Sequence, residues 1–100
     1  MILSICIPTF NRENHLNNCL NSILISSKNV KDFQFEVCIS DNNSNYDVEK
    51  VISKYNQSLN IKFNKNKKNL GFSLNAIQSV KIASGKFAWL IGNDDLVLPH

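Results

Sequence analysis

From Met1 to Ile7 the chain reads MILSICI, an apolar and β-branched run closed by Pro8. A run with so few polar positions predicts a strand buried on both faces of a parallel sheet. Beyond a loop from Thr9 to Glu13, apolar residues return at Leu16, Cys19, Leu20, Ile23 and Leu24, the three-and-four spacing of one helical stripe. Phe35 to Ile39 is a second apolar run, and it leads through Asp41 into the polar cluster Ser40-Asp41-Asn42-Asn43-Ser44, which suits a turn or a helix cap. Ser44 and Asp47 have the spacing of a capping box ahead of Val48, Val51, Ile52 and Tyr55, so a second helix capped by Ser44 is expected to end near Asn56. Ile61-Lys62-Phe63 alternates like a short edge strand before a loop rich in lysine and asparagine, Asn64 to Gly71. From Ser73 onward, Leu74, Ile77, Val80 and Ala83 make a third stripe, with Ser84-Gly85 as its left-handed stop. Lys86 to Ile91 reads as a central strand that empties into Gly92-Asn93-Asp94-Asp95.

This alternation predicts an α/β fold: an open, mainly parallel sheet, Rossmann-like, with helices on both faces and right-handed crossovers. The expected strands lie near residues 2–7, 35–40, 61–63 and 86–91. At 100 residues the chain is one domain, residues 1–100, without internal repeat or linker.

Composition narrows the classes of function. Hydrophobic residues are 43% and charged residues 19%, which is globular rather than disordered. The net charge is +3, but Arg12 is the only arginine, so no stripe for gripping duplex DNA is present and nucleic acid is not an expected partner. Cys6, Cys19 and Cys38 lack CxxC spacing and occupy apolar patterns; they read as inert buried thiols in a reducing compartment. His15 and His100 have no neighbours in sequence that would make them metal ligands or bases. No apolar stretch is long enough for a membrane span, and the first is too short for a signal peptide, so the expected location is cytoplasmic. Asparagine is the commonest residue, at 16 of 100, and its scatter reads as a composition bias of an AT-rich genome. Trp89 and the phenylalanines fit packing positions better than a base-stacking platform.

In an open parallel sheet, ligands bind beyond the carboxyl ends of the strands. Those ends carry Thr9 with Asn11 and Arg12, then Asp41, then Asn69 with Gly71, then Asp94 with Asp95. Adjacent carboxylates aimed at one crevice repel unless a cation intervenes, which points to Mg²⁺ or Mn²⁺ at Asp94 and Asp95, against the alternative of a plain polar turn. Asp41 could accept from a base or ribose, or close an Asx-turn. Arg12 and the lysines at 62, 65, 67 and 68 could draw in a diphosphate, although a lysine-rich loop also reads as solvated surface. No glycine precedes Gly71, which argues against a dinucleotide fingerprint, a P-loop, and the glycine-rich loop of a sugar-phosphate nucleotidyltransferase.

Read together, these segments resemble the N-terminal half of family 2 glycosyltransferases of GT-A fold. Ile5-Cys6-Ile7-Pro8-Thr9-Phe10-Asn11-Arg12 is similar to that family's "IPTYNR" loop, and Asp41-Asn42-Asn43-Ser44 to its "DDGS". Asn69-Leu70-Gly71 matches "NxG", Gly85-Lys86-Phe87 resembles "GEY", and Asn93-Asp94-Asp95 with Leu96-Val97-Leu98-Pro99 resembles "DADDILLP". The resemblance implies a donor site for a nucleoside-diphosphate sugar, typically a UDP-sugar, drawn from Pro8, Thr9, Asn11, Arg12, Asp41, Asn69, Gly71, Asn93 and Asp94. Within it, Thr9 and Asp41 would meet base and ribose, and Asp94 and Asp95 would hold Mn²⁺ or Mg²⁺ as the DxD motif. Gly92 stands where the family commonly has the first Asp, so that work would fall to Asp94, and the choice of principal ligand between Asp94 and Asp95 is open.

The same resemblance implies sugar transfer to a glycan or lipid-linked acceptor in bacterial surface polysaccharide assembly. The family's acceptor site and general base come after the position of His100, so the chain is expected to be the truncated front part of a longer transferase. The full-length enzyme would be cytoplasmic or peripheral at the inner face of the membrane. Apolar surface left uncovered after Leu98 would favour self-association. The alternative is a nucleotide-sugar-binding module without catalysis.

Overall fold

The computed structural model describes residues 2–28 and 34–92. Their elements alternate as the hydropathy pattern predicts: β1 (Leu3–Thr9), α1 (Glu13–Ser27), β2 (Phe35–Asp41), α2 (Val48–Ile52), β3 (Ile61–Lys65), α3 (Phe72–Lys81) and β4 (Phe87–Leu90). The strands form one sheet in the order β3-β2-β1-β4, and every pair is parallel. Among the described residues β3 is an edge strand, as expected, but it runs to Lys65 because Asn64 and Lys65 continue the pairing with Ser40 and Asp41.

One face of the sheet is apolar. Ile5 and Ile7 of β1, Val37 and Ile39 of β2, Leu16, Cys19, Leu20 and Ile23 of α1, and Val48, Val51 and Ile52 of α2 form the buried core. α1 therefore buries the stripe read from its spacing. α2 is shorter than expected and is capped by Asp47, whose carboxylate accepts from the Lys50 amide at 3.3 Å. Its helical pattern lapses after Ile52, where the Ser53 hydroxyl bonds back to the Lys50 carbonyl at 2.7 Å, a local competitor of helix propagation. The turns that follow still bury Tyr55 and Leu59 in this core, and the Tyr55 hydroxyl donates to Asn17 Oδ1 at 2.8 Å.

The opposite face departs from the hydropathy pattern. Ser4, Cys6, Glu36, Cys38 and Ser40 are all buried there, and α3 covers them with Asn75, Ala76 and Ser79. The apolar stripe of α3 is therefore turned outward: Leu74, Ile77 and Val80 are exposed. A polar sheet face selects the polar side of the helix, because buried hydroxyls and carboxylates need donors and acceptors that leucine and valine lack. β4 is likewise an edge strand among the described residues and not a central one; Phe87 is 68% and Trp89 48% exposed, so they are not core packing positions there. Gly85 does not adopt a left-handed conformation. Its place is required by contact, since a Cβ would meet the Ser4 backbone nitrogen at 2.8 Å and the Leu3 carbonyl carbon at 2.9 Å.

Glu36 is the charged centre of the polar layer. Its carboxylate accepts from Ser4 Oγ and from the Ser84 amide, each at 2.6 Å, and pairs with Lys62 at 3.1 Å. Burial pushes its carboxyl up, but these hydrogen bonds outweigh burial and bring it down to about 2 from an ordinary 4.5. Cys6 and Cys38 are register partners beside it across the β1–β2 pair; both are fully buried, and the Cys6 thiol donates to the Ser4 carbonyl at 3.8 Å.

Two outcomes follow from this layer. The depressed Glu36 carboxyl contributes stability that is complete above pH about 4.5 and is lost as pH falls through about 2. Unfolding titrations are expected to show a loss of order 2–3 kcal/mol over that window, absent in Glu36→Gln. Gly85→Ala is expected to cost about 1–3 kcal/mol in a denaturant titration, because Cβ would displace backbone of β1.

Candidate functional site

Three loops meet beyond the carboxyl ends of β1, β2 and β3. Thr9 pairs with Asp41, and Pro8 with Ser40, at the last steps of the β1–β2 ladder. Pro8, which has no N–H, falls past the last β1–β4 pair, Cys6 with Leu90, so it interrupts no ladder bond with β4. The chain then turns at Asn11, whose φ of +50° is left-handed and suits asparagine. Asn11 stitches the first loop to the second: its amide donates to Ser44 Oγ at 2.8 Å and its Oδ1 accepts from the Asn45 amide at 2.7 Å. Arg12 is exposed at the N-terminus of α1, its carbonyl accepting from the Leu16 amide at 2.9 Å.

Asp41 is fully buried. Oδ1 takes the Ser44 hydroxyl and amide, and Oδ2 shares that amide at 3.2 Å; a carboxylate oxygen can accept more than one such bond. Ser44 is thus the link between Asp41 and Asn11 rather than the cap of α2. Tyr46, which no motif singled out, places a buried hydroxyl in this second loop, near Thr9 and Asp41. Burial, reinforced by the nearby Asp41 charge, pushes its phenol up to about 12.

The third loop brings Asn69 and Gly71 against Asn42. Asn69 Oδ1 accepts from Asn42 Nδ2 at 2.7 Å and from the Gly71 amide at 2.8 Å. Gly71 caps α3 with φ +85°, a conformation that favours glycine, and faces open space. Lys65, Lys67 and Lys68 are exposed around this loop. Lys62 is not part of the rim, because it is held by Glu36 and by the Ile82 carbonyl and Ser84 Oγ.

Asparagine also does more here than composition bias implies. Asn42, Asn66 and Asn75 are buried under the rim in one hydrogen-bonded cluster with Asn64 and Ser40. No hydropathy or motif signal singles out Asn66 or Asn75; only the polar positions facing them, Ser40 and Asn64, hint at a wet layer.

Of the sequence-derived site residues, the structure brings together Pro8, Thr9, Asn11, Arg12 and Asp41, and joins Asn69 and Gly71 to them through Asn42. Asn93, Asp94 and Asp95 lie outside the described residues. Among the described residues no group of three or more His, Cys, Asp or Glu could hold a metal ion. Asp41 brings a single carboxylate to the rim, and it is engaged by Ser44. The described helices include none long and apolar enough to cross a membrane.

Comparison with known proteins gives the same assignment from sequence and from fold. The chain is 38% identical over 97 residues to the abequosyltransferase RfbV of Salmonella typhimurium, covering 95% of this chain and 28% of that protein. It is 34% identical over 100 residues to the uncharacterized glycosyltransferase MJ1057 of Methanocaldococcus jannaschii, covering 98% of this chain and 33% of that one. The chain thus spans about a third or less of the length of these relatives. In three dimensions it matches the crystal structure of S. aureus TarS 1–349 in complex with UDP-GlcNAc with a TM-score of 0.80 at 29% identity, over 96% of this chain and 27% of that one. A mannosyltransferase from Pyrobaculum calidifontis in complex with GDP-Man and Mn²⁺ shares the fold, with a TM-score of 0.79 at 16% identity over 94% of this chain and 28% of that one. With the parallel sheet, the motif-bearing rim and a family match that extends over residues 4–100, the chain belongs to glycosyl transferase family 2.

Proposed function

We propose that the strand-end rim is the donor site of a glycosyltransferase and binds the nucleotide of a nucleoside-diphosphate sugar, with a UDP-sugar as the favoured donor. The observation that carries this reading is the convergence of the Thr9–Arg12, Asp41–Tyr46 and Asn69–Gly71 segments at one end of the sheet, in a chain similar to a protein solved with UDP-GlcNAc. Asp41 Oδ2 is the acceptor for a base N–H or ribose hydroxyl, and Ser44 holds the other oxygen so that the carboxylate does not rotate. Arg12, exposed at the mouth, and the lysines at 65, 67 and 68 attract the diphosphate. Asn11 and Gly71, both at positive φ, let backbone approach the ligand where a bulky residue would not.

Asp94 and Asp95 are the proposed ligands of Mn²⁺ or Mg²⁺, which when bound neutralises charge on a departing diphosphate. Transfer also needs a base for the acceptor hydroxyl. The proposal places that base, and the site for a glycan or lipid-linked acceptor, in a longer polypeptide of which this chain is the donor-binding part. The polymer served is a surface polysaccharide, made at the cytoplasmic side of the membrane.

Calorimetric titration of UDP into the chain, with Mn²⁺ and with EDTA, tests this. Mn²⁺ is expected to raise UDP affinity about tenfold or more, with UDP raising Mn²⁺ affinity by the same factor. Asp94→Asn and Asp95→Asn are expected to reduce that coupling, whereas Asp41→Asn is expected to weaken UDP roughly tenfold with or without metal. UDP binding that ignores Mn²⁺ and survives both acidic-pair substitutions would remove Asp94 and Asp95 from the site; an absence of UDP binding would remove the donor reading for this chain.

A further inference from the structure

Asn42, Asn66 and Asn75 are at most 8% exposed, and none of the roles proposed above uses them. Asn66 joins the other two: its Nδ2 donates to Oδ1 of Asn42 at 3.0 Å and to Oδ1 of Asn75 at 2.9 Å. Each partner carries the link to backbone. Asn42 Oδ1 accepts from the Leu70 amide at 2.8 Å, and its Nδ2 donates to the Gly71 carbonyl at 3.3 Å. Asn75 Nδ2 donates to the carbonyls of Ser40 at 3.0 Å and Thr9 at 3.4 Å. The Asn66 backbone amide closes the unit on the Asp41 carbonyl at 2.8 Å.

A primary amide offers two donors and two acceptor positions. Asn42 and Asn75 each fill all four. Stability alone does not call for such a cluster, because apolar side chains of the same shape are often as stabilising as a buried hydrogen-bonded set. What the amides add is direction. They hold three backbone segments, at Thr9, Asp41–Asn42 and Leu70–Gly71, in one fixed relation, and those are the segments that frame the rim.

We infer that Asn42, Asn66 and Asn75 are positioning residues for donor binding: the cluster sets the Leu70–Gly71 loop and the Thr9 carbonyl relative to Asp41, and nucleotide affinity depends on that setting. The affinity part rests on the donor-site reading; the positioning of the loop stands on the geometry alone. Asn66 is the residue to change, because its side chain touches Asn42, Asn64 and Asn75 and none of the groups proposed to meet the nucleotide.

The experiment compares wild type with Asn66→Ala, Asn66→Asp and, as a control in the opposite core, Ile52→Ala. Asn66→Asp keeps volume but lacks both donors, so it separates hydrogen-bond direction from packing. For each, amide hydrogen exchange at Leu70, the thermal midpoint and UDP affinity are measured. Both Asn66 variants are expected to speed exchange at Leu70 about tenfold or more beyond what their midpoint explains, and to weaken UDP about tenfold. Ile52→Ala is expected to lower the midpoint while leaving UDP affinity within about twofold. Should Asn66→Ala fail to fold, Asn64→Ala, which removes one donor to Asn66 and one to Ser40, is expected to show the same pattern with a smaller amplitude. Unchanged exchange at Leu70 in the Asn66 variants overturns the inference, as does a loss of UDP affinity that merely follows the midpoint in Ile52→Ala as well. A wild type that takes up no UDP overturns the donor-site reading and with it the affinity part, while exchange at Leu70 still decides whether the cluster positions the loop.

Discussion

Glu36 and Ser40 project from β2 into a layer closed over by α3, and both are inaccessible to water. A polar group in that position is tolerable only if protein groups replace its solvent. The rest of the structure on that side follows from this requirement. At the amino end of the strands, Ser4, Ser84 and Lys62 surround the Glu36 carboxylate and thereby tie β1, β3 and the start of β4 together. At the carboxyl end, the Ser40 hydroxyl and carbonyl engage Asn75 of α3, which in turn holds Asn66 and the Thr9 carbonyl. The sheet therefore has one face built by apolar burial against α1 and α2 and another built by directional bonds to α3.

That division of labour suits a binding rim. Apolar packing tolerates small slides at little cost, whereas a saturated amide network has few alternative geometries. The loops at the rim are short, polar and partly left-handed, at Asn11, Asn43 and Gly71, and loops of that kind are ordered only when their backbone groups have partners. Here the partners come from the rim itself. Asp41 takes Ser44, Ser44 takes Asn11, and Asn42 takes Leu70 and Gly71.

Much of this was legible in the sequence, and what was not has a physical reason. Runs dominated by apolar residues identify β1 and β2, and the spacing of Leu16, Cys19, Leu20 and Ile23 identifies α1, because on the face where these elements meet the residue type and the burial coincide. The strand ends then locate the rim, since a parallel sheet leaves few other places for Thr9, Asp41 and Gly71. The orientation of α3 was hidden: a hydropathy stripe assumes an apolar sheet beneath, whereas Leu74, Ile77 and Val80 are turned away from a polar one. Aromatic content likewise suggested a central β4, yet Phe87 and Trp89 lie on an exposed edge strand among the described residues. Ser44 and Asp47 share the spacing of a capping box, and pattern alone does not reveal that Ser44 is spent on Asp41 while Asp47 caps α2. The asparagine cluster left no periodic trace because its members, Asn42, Asn66 and Asn75, come from two loops and a helix and meet only in the fold.

Membership in glycosyl transferase family 2 and a parallel sheet whose motif-bearing loops meet at one end give a consistent basis for the proposed donor site. The exposed apolar groove between α3 and β4, lined by Ala76, Ile77, Val80, Lys81 and Leu90, is another concave feature of the surface, and it has almost no polar group with which to recognise a nucleotide. The two locations are separable by one measurement: an amide NMR titration of the isotopically labelled chain with UDP. Shift changes confined to residues 9–13, 41–46 and 66–71 are the expected result. Changes centred on Ile77, Val80 and Leu90, with the rim amides unmoved, would contradict the assignment of the rim as the nucleotide site.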